Sequence, residues 1–335
     1  MVRFGVVGYG YWGPNMVRNC AEAAGSQIAW VCDLNPDHLK VASTRYPAIR
    51  TTTNYRELLD AKDVDAVIIA TPVHSHFDLA MAALRAGKHV LVEKPITRTS
   101  DQALLLLEEA KKRNLVLMVD HTFCYTEAVR HIRGMVQSGE LGDVFYYDSI
   151  RVNLGLFQHD VDVTWDLAVH DLSILDFVLD RRPVQVSASG SIHVAGSPAN
   201  IAYLTLFFDD ATIAHVNVNW LAPVKIRRTL IGGSKRMIIY DELEPDAKVK
   251  IYDKGVAFTD NKDQIFQLLV GYRTGDMVAP QIRNTEALRT EIEHFVACVS
   301  SGDTPLTDGR MGLNVVRILE AATRSMAGRG HPVDI

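Results

Sequence analysis

Two kinds of periodicity divide the chain. Up to about residue 120, short β-branched apolar runs alternate with stretches whose apolar residues recur every three to four positions. The first kind fits buried strands, and the second fits helices laid against them. The pattern predicts strands at Val2–Val7, Ile28–Cys32, Ala66–Ala70, His89–Val92 and Val116–Val119, with helices near 14–24, 36–45, 77–86 and 100–113. Strands separated by helices indicate a parallel sheet covered on its faces. Ser100 offers an N-cap oxygen to the last of these helices, and Ala86-Gly87 closes the one before His89.

Beyond about residue 143 the pattern changes to longer stretches of apolar and polar alternation. These are Val144–Val152, Val184–His193, Ala202–Phe208, Thr212–Asn219, Arg227–Gly232, Arg236–Tyr240 and Lys248–Tyr252. Period-two alternation predicts an antiparallel sheet with one face buried. On the run ending at Asn219, His215, Asn217 and Asn219 alternate with Val216, Val218 and then Trp220, so one face of that strand is polar and the other apolar. Helices are predicted near 165–179, 286–300 and 310–327, and Asp209-Asp210 and Gly232-Gly233 read as tight turns. The expected architecture is α/β: a nucleotide-type α/β domain over 1–120, then an α+β domain over 121–335 with a large, mostly antiparallel sheet. The last helix is expected to return to the first domain.

Composition narrows the function classes. A length of 335 residues suits about two domains. The formal net charge of −5 gives no general attraction for polyphosphate, so nucleic acid is not an expected partner. Cys20, Cys32, Cys124 and Cys298 lack the paired spacing of a zinc or redox motif and suit a reducing cytosol. The start of the chain lacks a secretory signal pattern, and no apolar run approaches the roughly 20 residues of a membrane helix. A soluble, cytoplasmic protein is expected.

The chemistry concentrates at three places. Gly8-Tyr9-Gly10-Tyr11-Trp12-Gly13 follows the first strand and opens a helix with Pro14 in its first turn. In such a loop the first glycine permits the turn, the second lets backbone approach a pyrophosphate, and the third allows close helix packing. Asp33 ends the next strand, where a carboxylate can accept from ribose hydroxyls; Leu34-Asn35-Pro36 offers no Arg for a 2′-phosphate, so NAD is favoured over NADP. Glu93-Lys94-Pro95 lies past a strand at the sheet's ligand edge, where the Lys94 ammonium could stabilise an alkoxide. Asp166 and His170 stand four residues apart on a predicted helix, a spacing that allows an acid to support a proton-transferring imidazole, with Asp171 as the competing acid. His74, His76 and Asp78 complete no recognised ligand set, and no metal is expected.

Together these motifs resemble the Gfo/Idh/MocA family of sugar oxidoreductases over nearly the whole chain. The resemblance rests on the glycine loop, Thr71-Pro72 with His76, Ala86-Gly87-Lys88-His89-Val90 leading into Glu93-Lys94-Pro95, and Asp166 with His170. It implies Lys94 as the substrate-binding and catalytic Lys, Asp166 as the acid that positions substrate and base, and His170 as the proton carrier. It also implies that Thr71, Pro72 and His76 pass beneath the cofactor and that Glu93 lies beside the nicotinamide ribose. Cofactor binding is thus expected from Gly8, Tyr9, Gly10, Tyr11, Trp12, Gly13, Asp33, Leu34, Thr71, Pro72, His76, Glu93 and Lys94.

Val161-Asp162-Val163-Thr164-Trp165 departs from the Gly-rich stretch that many members place before the Asp and His. The runs Gly10–Asn15, Tyr147–Asn153 and Trp220–Arg227 look like members that act on nucleotide-linked sugars, several of them at the 3-position. Arg151, Asn153 and Arg273, with Asp276, are the candidate substrate contacts. The resemblance further implies a homodimer or homotetramer. A free-sugar or inositol-type dehydrogenase is the alternative within the class, and a non-catalytic NAD-binding regulator the alternative outside it.

Overall fold

The computed structural model describes residues 1–155, 157, 158, 161–255 and 273–335, apart from the side chains of Arg273 and Thr274. The chain forms two compact units, one of residues 1–126 with 285–317 and the other of 127–284 with 318–335. The first boundary falls at Thr126, slightly beyond the expected 120, and a C-terminal segment rejoins the first unit.

The first unit is built on a six-stranded parallel sheet. Its strands are β1 (Val2–Val7), β2 (Ser26–Cys32), β3 (Arg50–Thr52), β4 (Ala66–Ile69), β5 (His89–Glu93) and β6 (Leu117–Asp120), in the order β3-β2-β1-β4-β5-β6. This is the order of a doubly wound Rossmann sheet. β4 reads Ala-Val-Ile-Ile because helices cover both faces, and all four residues are buried. The helices are α1 (Gly13–Glu22), α2 (Pro36–Arg45), α3 (Tyr55–Asp60), α4 (His76–Arg85) and α5 (Ser100–Arg113). Thr99, not Ser100, caps α5 by accepting from the Gln102 N–H. From the far end of the sequence α8 (Ala287–Ser301) joins this core, with Phe295 against Phe4 at 5.8 Å between ring centroids.

The second unit holds α6 (Glu127–Gln137), α7 (Val169–Leu179) and a nine-stranded sheet. Its strands are β7 (Val144–Leu154), β8 (Gln185–Ser191), β9 (Ile201–Phe207), β10 (Ile213–Asn219), β11 (Leu221–Gly233), β12 (Met237–Asp241), β13 (Val249–Gly255), β14 (Arg273–Val278) and β15 (Val333–Asp334). The order is β14-β13-β12-β11-β7-β10-β9-β8-β15, and only the β7–β10 pair is parallel. The alternation on β10 is as read: Val216 and Val218 are fully buried, while His215, Asn217 and Asn219 are half-buried on the other face. Gly232 and Gly233 lie within β11 instead of forming the turn, and a Cβ at Gly232 would sit 2.1 Å from the Tyr146 ring. α9 (Gly309–Ala327) is divided between the two units at Arg317. Among the described residues no helix is long and apolar enough to cross a membrane.

Candidate active site

Two of the three glycines of the loop after β1 have a steric reason. Gly8 has φ +93°, and a Cβ there would lie 2.5 Å from the Ala70 carbonyl oxygen. At Gly13 a Cβ would lie 2.0 Å from the Gly8 oxygen, so only glycine lets α1 start this close to the loop. A Cβ at Gly10 would meet nothing within 4 Å, which leaves open space over the loop for a phosphate. No side chain caps the first turn of α1, whose N–H groups and positive dipole end suit an anion.

Asp33 braces this loop. Its Oδ2 accepts from the Tyr9 N–H at 2.6 Å, its Oδ1 accepts from the Asn35 N–H at 2.8 Å, and His38 Nδ1 stands 3.2 Å from Oδ2. The acid is therefore fixed beside the phosphate loop, where ribose hydroxyls would reach it. Tyr9 is buried in the fold, whereas Tyr11 and Leu34 are 91% and 89% exposed and free to flank a bound dinucleotide. Trp12 reaches across the sheet's ligand edge, and its indole N–H donates to Asp120 Oδ2 at 2.8 Å. Asp120 and His38 were not singled out in the sequence.

The other half of that edge carries Lys94. Glu93 ends β5 opposite Asp120 in the parallel register, and half-buried Lys94 follows in a cis peptide with Pro95. His76, at the start of α4, ties two turns together: Nδ1 lies 2.8 Å from the Pro95 oxygen and Nε2 lies 2.7 Å from the Thr71 oxygen. Burial lowers the pKa of this imidazole, and whichever nitrogen keeps its proton donates to its carbonyl. The Thr71 and Pro95 carbonyls thus lie on opposite sides of one buried ring. His121 is also buried, and burial together with the Lys94 charge lowers its pKa to about 3.

In the second unit Asp166 and His170 do not share a regular α-helix. Thr164–Ala168 forms a single π turn, with the Val169 N–H donating to the Thr164 oxygen, and α7 starts at Val169. Asp162 caps the turn, its Oδ1 accepting from the Thr164 N–H at 2.8 Å and the Trp165 N–H at 3.3 Å. π turns inside helices are frequently found at functional sites. Asp166 Oδ2 accepts from the indole N–H of buried Trp220 at 3.1 Å. Asp166 and His170 are both half-buried on this segment.

The structure corrects the expectation for Arg151. Its side chain is only 4% exposed; Nε donates to Asp171 Oδ2 at 2.8 Å, and Nη1 donates to Glu242 Oε2 at 3.4 Å. Ser149 Oγ donates to Asp171 Oδ1 at 2.6 Å, and the Tyr147 hydroxyl donates to the Asp171 carbonyl at 3.2 Å. Burial alone would lower the guanidinium pKa, but Asp171 and Glu242 outweigh it and raise the value. Arg151 therefore ties β7 to α7, and Asp171 is its partner and no rival to Asp166. Asn153 is half-buried near the end of β7, Asp276 is exposed on β14, and the Arg273 side chain lies outside the described residues. Among the described residues, no group of three or more His, Cys, Asp or Glu is arranged to hold a metal ion.

Residues 2–121 match the Gfo/Idh/MocA oxidoreductase family, NAD-binding Rossmann fold, and residues 129–239 match a C-terminal domain of the same family. The chain is 29% identical over 318 residues to UDP-N-acetylglucosamine 3-dehydrogenase of Acidithiobacillus ferrooxidans, covering 94% of each. The solved structure of that enzyme superposes with a TM-score of 0.82 over 97% of this chain and 98% of the other. Over the full chain and 96% of the relative, identity to scyllo-inositol 2-dehydrogenase (NAD(+)) of Bacillus subtilis is 24%. An oxidoreductase from Agrobacterium radiobacter, solved with NAD+, L-tartaric acid and magnesium, has the same fold: 20% identity, TM-score 0.82, 99% and 98% coverage.

Proposed function

The chain belongs to the Gfo/Idh/MocA family of oxidoreductases, and on that premise we propose that it transfers a hydride between NAD and the 3-position of a nucleotide-linked sugar. The observation that carries the substrate assignment is the full-length similarity to UDP-N-acetylglucosamine 3-dehydrogenase. The glycine loop, the uncapped start of α1 and Asp33 fit a dinucleotide with free ribose hydroxyls. When bound, NAD supplies the hydride acceptor in the oxidative direction and, once reduced, the donor in the reverse one.

The chain's own residues handle the proton and the oxygen. His170 takes the proton of the sugar hydroxyl onto a ring nitrogen as the carbon below it gives up hydride. Asp166, itself steadied by the Trp220 indole, orients the imidazole. Lys94 stabilises the negative charge that develops on the oxygen, an electrostatic role that needs a cation held in place before the reaction. The same groups run in reverse for ketone reduction, with His170 returning the proton. The reading includes a homodimer or homotetramer in the cytoplasm.

A second reading, a free-polyol dehydrogenase, is favoured by the inositol dehydrogenase among the full-length relatives. Absorbance near 340 nm separates the two. With NAD, and with 2-oxoglutarate added in parallel to recycle the reduced cofactor and reveal product, turnover is expected with UDP-N-acetylglucosamine or another UDP- or TDP-sugar. Glucose and myo-inositol are expected to give none. Turnover with myo-inositol and with no nucleotide sugar would establish the second reading instead.

A further inference from the structure

The first unit buries an acid that the proposed hydride transfer leaves unused. Glu291, on α8, is completely buried, with Asp120 and Thr122 beside its carboxyl group. Asp120, its neighbour at the end of β6, is 2% exposed, yet both of its oxygens accept hydrogen bonds. Oδ2 takes the Trp12 indole N–H at 2.8 Å, and Oδ1 takes the Thr122 hydroxyl. Two adjacent buried carboxyls do not both ionise readily. Burial first, and then Asp120 beside it, accordingly raise the Glu291 pKa well above the usual range. The two donors aimed at Asp120 make it the member of the pair arranged to hold a negative charge.

The location of that charge gives it a use. Asp33 marks the adenosine half of the sheet, so the nicotinamide half lies over β4–β6, where Asp120 pairs in register with Glu93. Trp12 ties Asp120 directly to the phosphate loop. Lys94, next after Glu93, places a cation at the same edge, and it would repel a cationic oxidised nicotinamide. A fixed anion beneath offsets that repulsion, and it acts on the cationic ring but hardly on the neutral reduced one.

We propose that Asp120 sets the redox preference of cofactor binding, holding the oxidised form more tightly than it would otherwise be held. The inference rests on the NAD-dependent reading above. It is tested by isothermal titration of the intact chain with NAD and NADH separately. Asp120→Asn is expected to raise the Kd for NAD about tenfold, the effect of one buried charge at roughly 10 Å, while NADH changes less than about threefold. Glu291→Gln exchanges a neutral acid for a neutral amide and is expected to leave the NAD to NADH ratio within about threefold. Trp12→Phe removes the donor but keeps the charge, and both forms are expected to weaken alike.

Equal weakening of both forms by Asp120→Asn would reduce Asp120 to a brace for the loop, and no change at all would remove its role; either outcome overturns the proposal. A ratio shift in Glu291→Gln would also overturn it by placing the charge on the other carboxyl. A wild-type chain that binds neither form would instead contradict the cofactor reading and take this inference with it.

Discussion

Lys94→Met is expected to lower kcat by about 10²–10³-fold, the usual loss when one preorganised oxyanion-stabilising group is removed. Methionine keeps most of the stem's length and apolar character and loses the charge, so the local packing survives. Half-buried Lys94 stands beside a turn whose Pro95 carbonyl lies 2.8 Å from His76 Nδ1, a contact that does not involve the ammonium. The Kd for NAD is therefore not expected to rise, since phosphate and ribose recognition lie on the glycine loop and Asp33, and loss of the ammonium relieves its repulsion of the oxidised ring. Arginine is not expected to rescue the rate, because a planar fork does not replace a compact cation. Steady-state kinetics with a parallel NAD titration decides the matter. Near-normal turnover would remove Lys94 from the chemistry, and an equal loss of cofactor affinity would reassign it to binding.

Arg151→Met is expected to destabilise the protein by about 3–5 kcal/mol, the cost of stripping one partner from a buried ion pair. Asp171 would keep the Ser149 hydroxyl but lose its 2.8 Å bond to the guanidinium, and Glu242 would keep Arg227. Asp171→Asn in the same chain is expected to recover part of the loss, because it removes the uncompensated charge that Arg151→Met creates. Urea denaturation followed by circular dichroism measures both variants. A loss below about 1 kcal/mol for the single variant would mean that Asp171 finds solvent or another partner and that the network is not what secures α7.

These two residues also mark what the sequence made legible. Lys94 could be picked out because its surroundings are local: a strand, a proline and a sheet edge lie within a few positions of it. The role of Arg151 could not be read, because its partners are Asp171 on α7 and Glu242, which is 91 positions away. A polar residue on a strand looks the same from sequence whether it faces a ligand or a buried acid. The same limit hid the pairing of Trp12 with Asp120 and of Asp120 with Glu291, each spanning more than a hundred residues.

Among the elements, the β-branched runs of β1, β2, β4 and β5 stood out because both faces of the parallel sheet are covered. β3 escaped notice because Arg50-Thr51-Thr52 is a short, polar edge strand, and α3 because six residues barely display a helical period. The amphipathic α6 was also missed, although Ala128, Val129, Ile132 and Met135 form a buried stripe at helical spacing. Asp166 and His170 were found through their spacing, but the π turn carrying Asp166 was not. An i to i+5 hydrogen bond has no residue pattern of its own, and here Asp162 and Trp220 hydrogen-bond the segment that contains it.

The most direct test of the central claim follows the hydride itself. UDP-N-acetylglucosamine carrying deuterium at C3 is incubated with the chain and NAD, and the reduced cofactor is weighed by mass spectrometry. The account predicts NADH heavier by one deuterium and a 3-keto sugar that has lost its label. NADH formed without deuterium would contradict transfer from the 3-position, and no reduction with this or any other nucleotide sugar would contradict the proposed function as a whole.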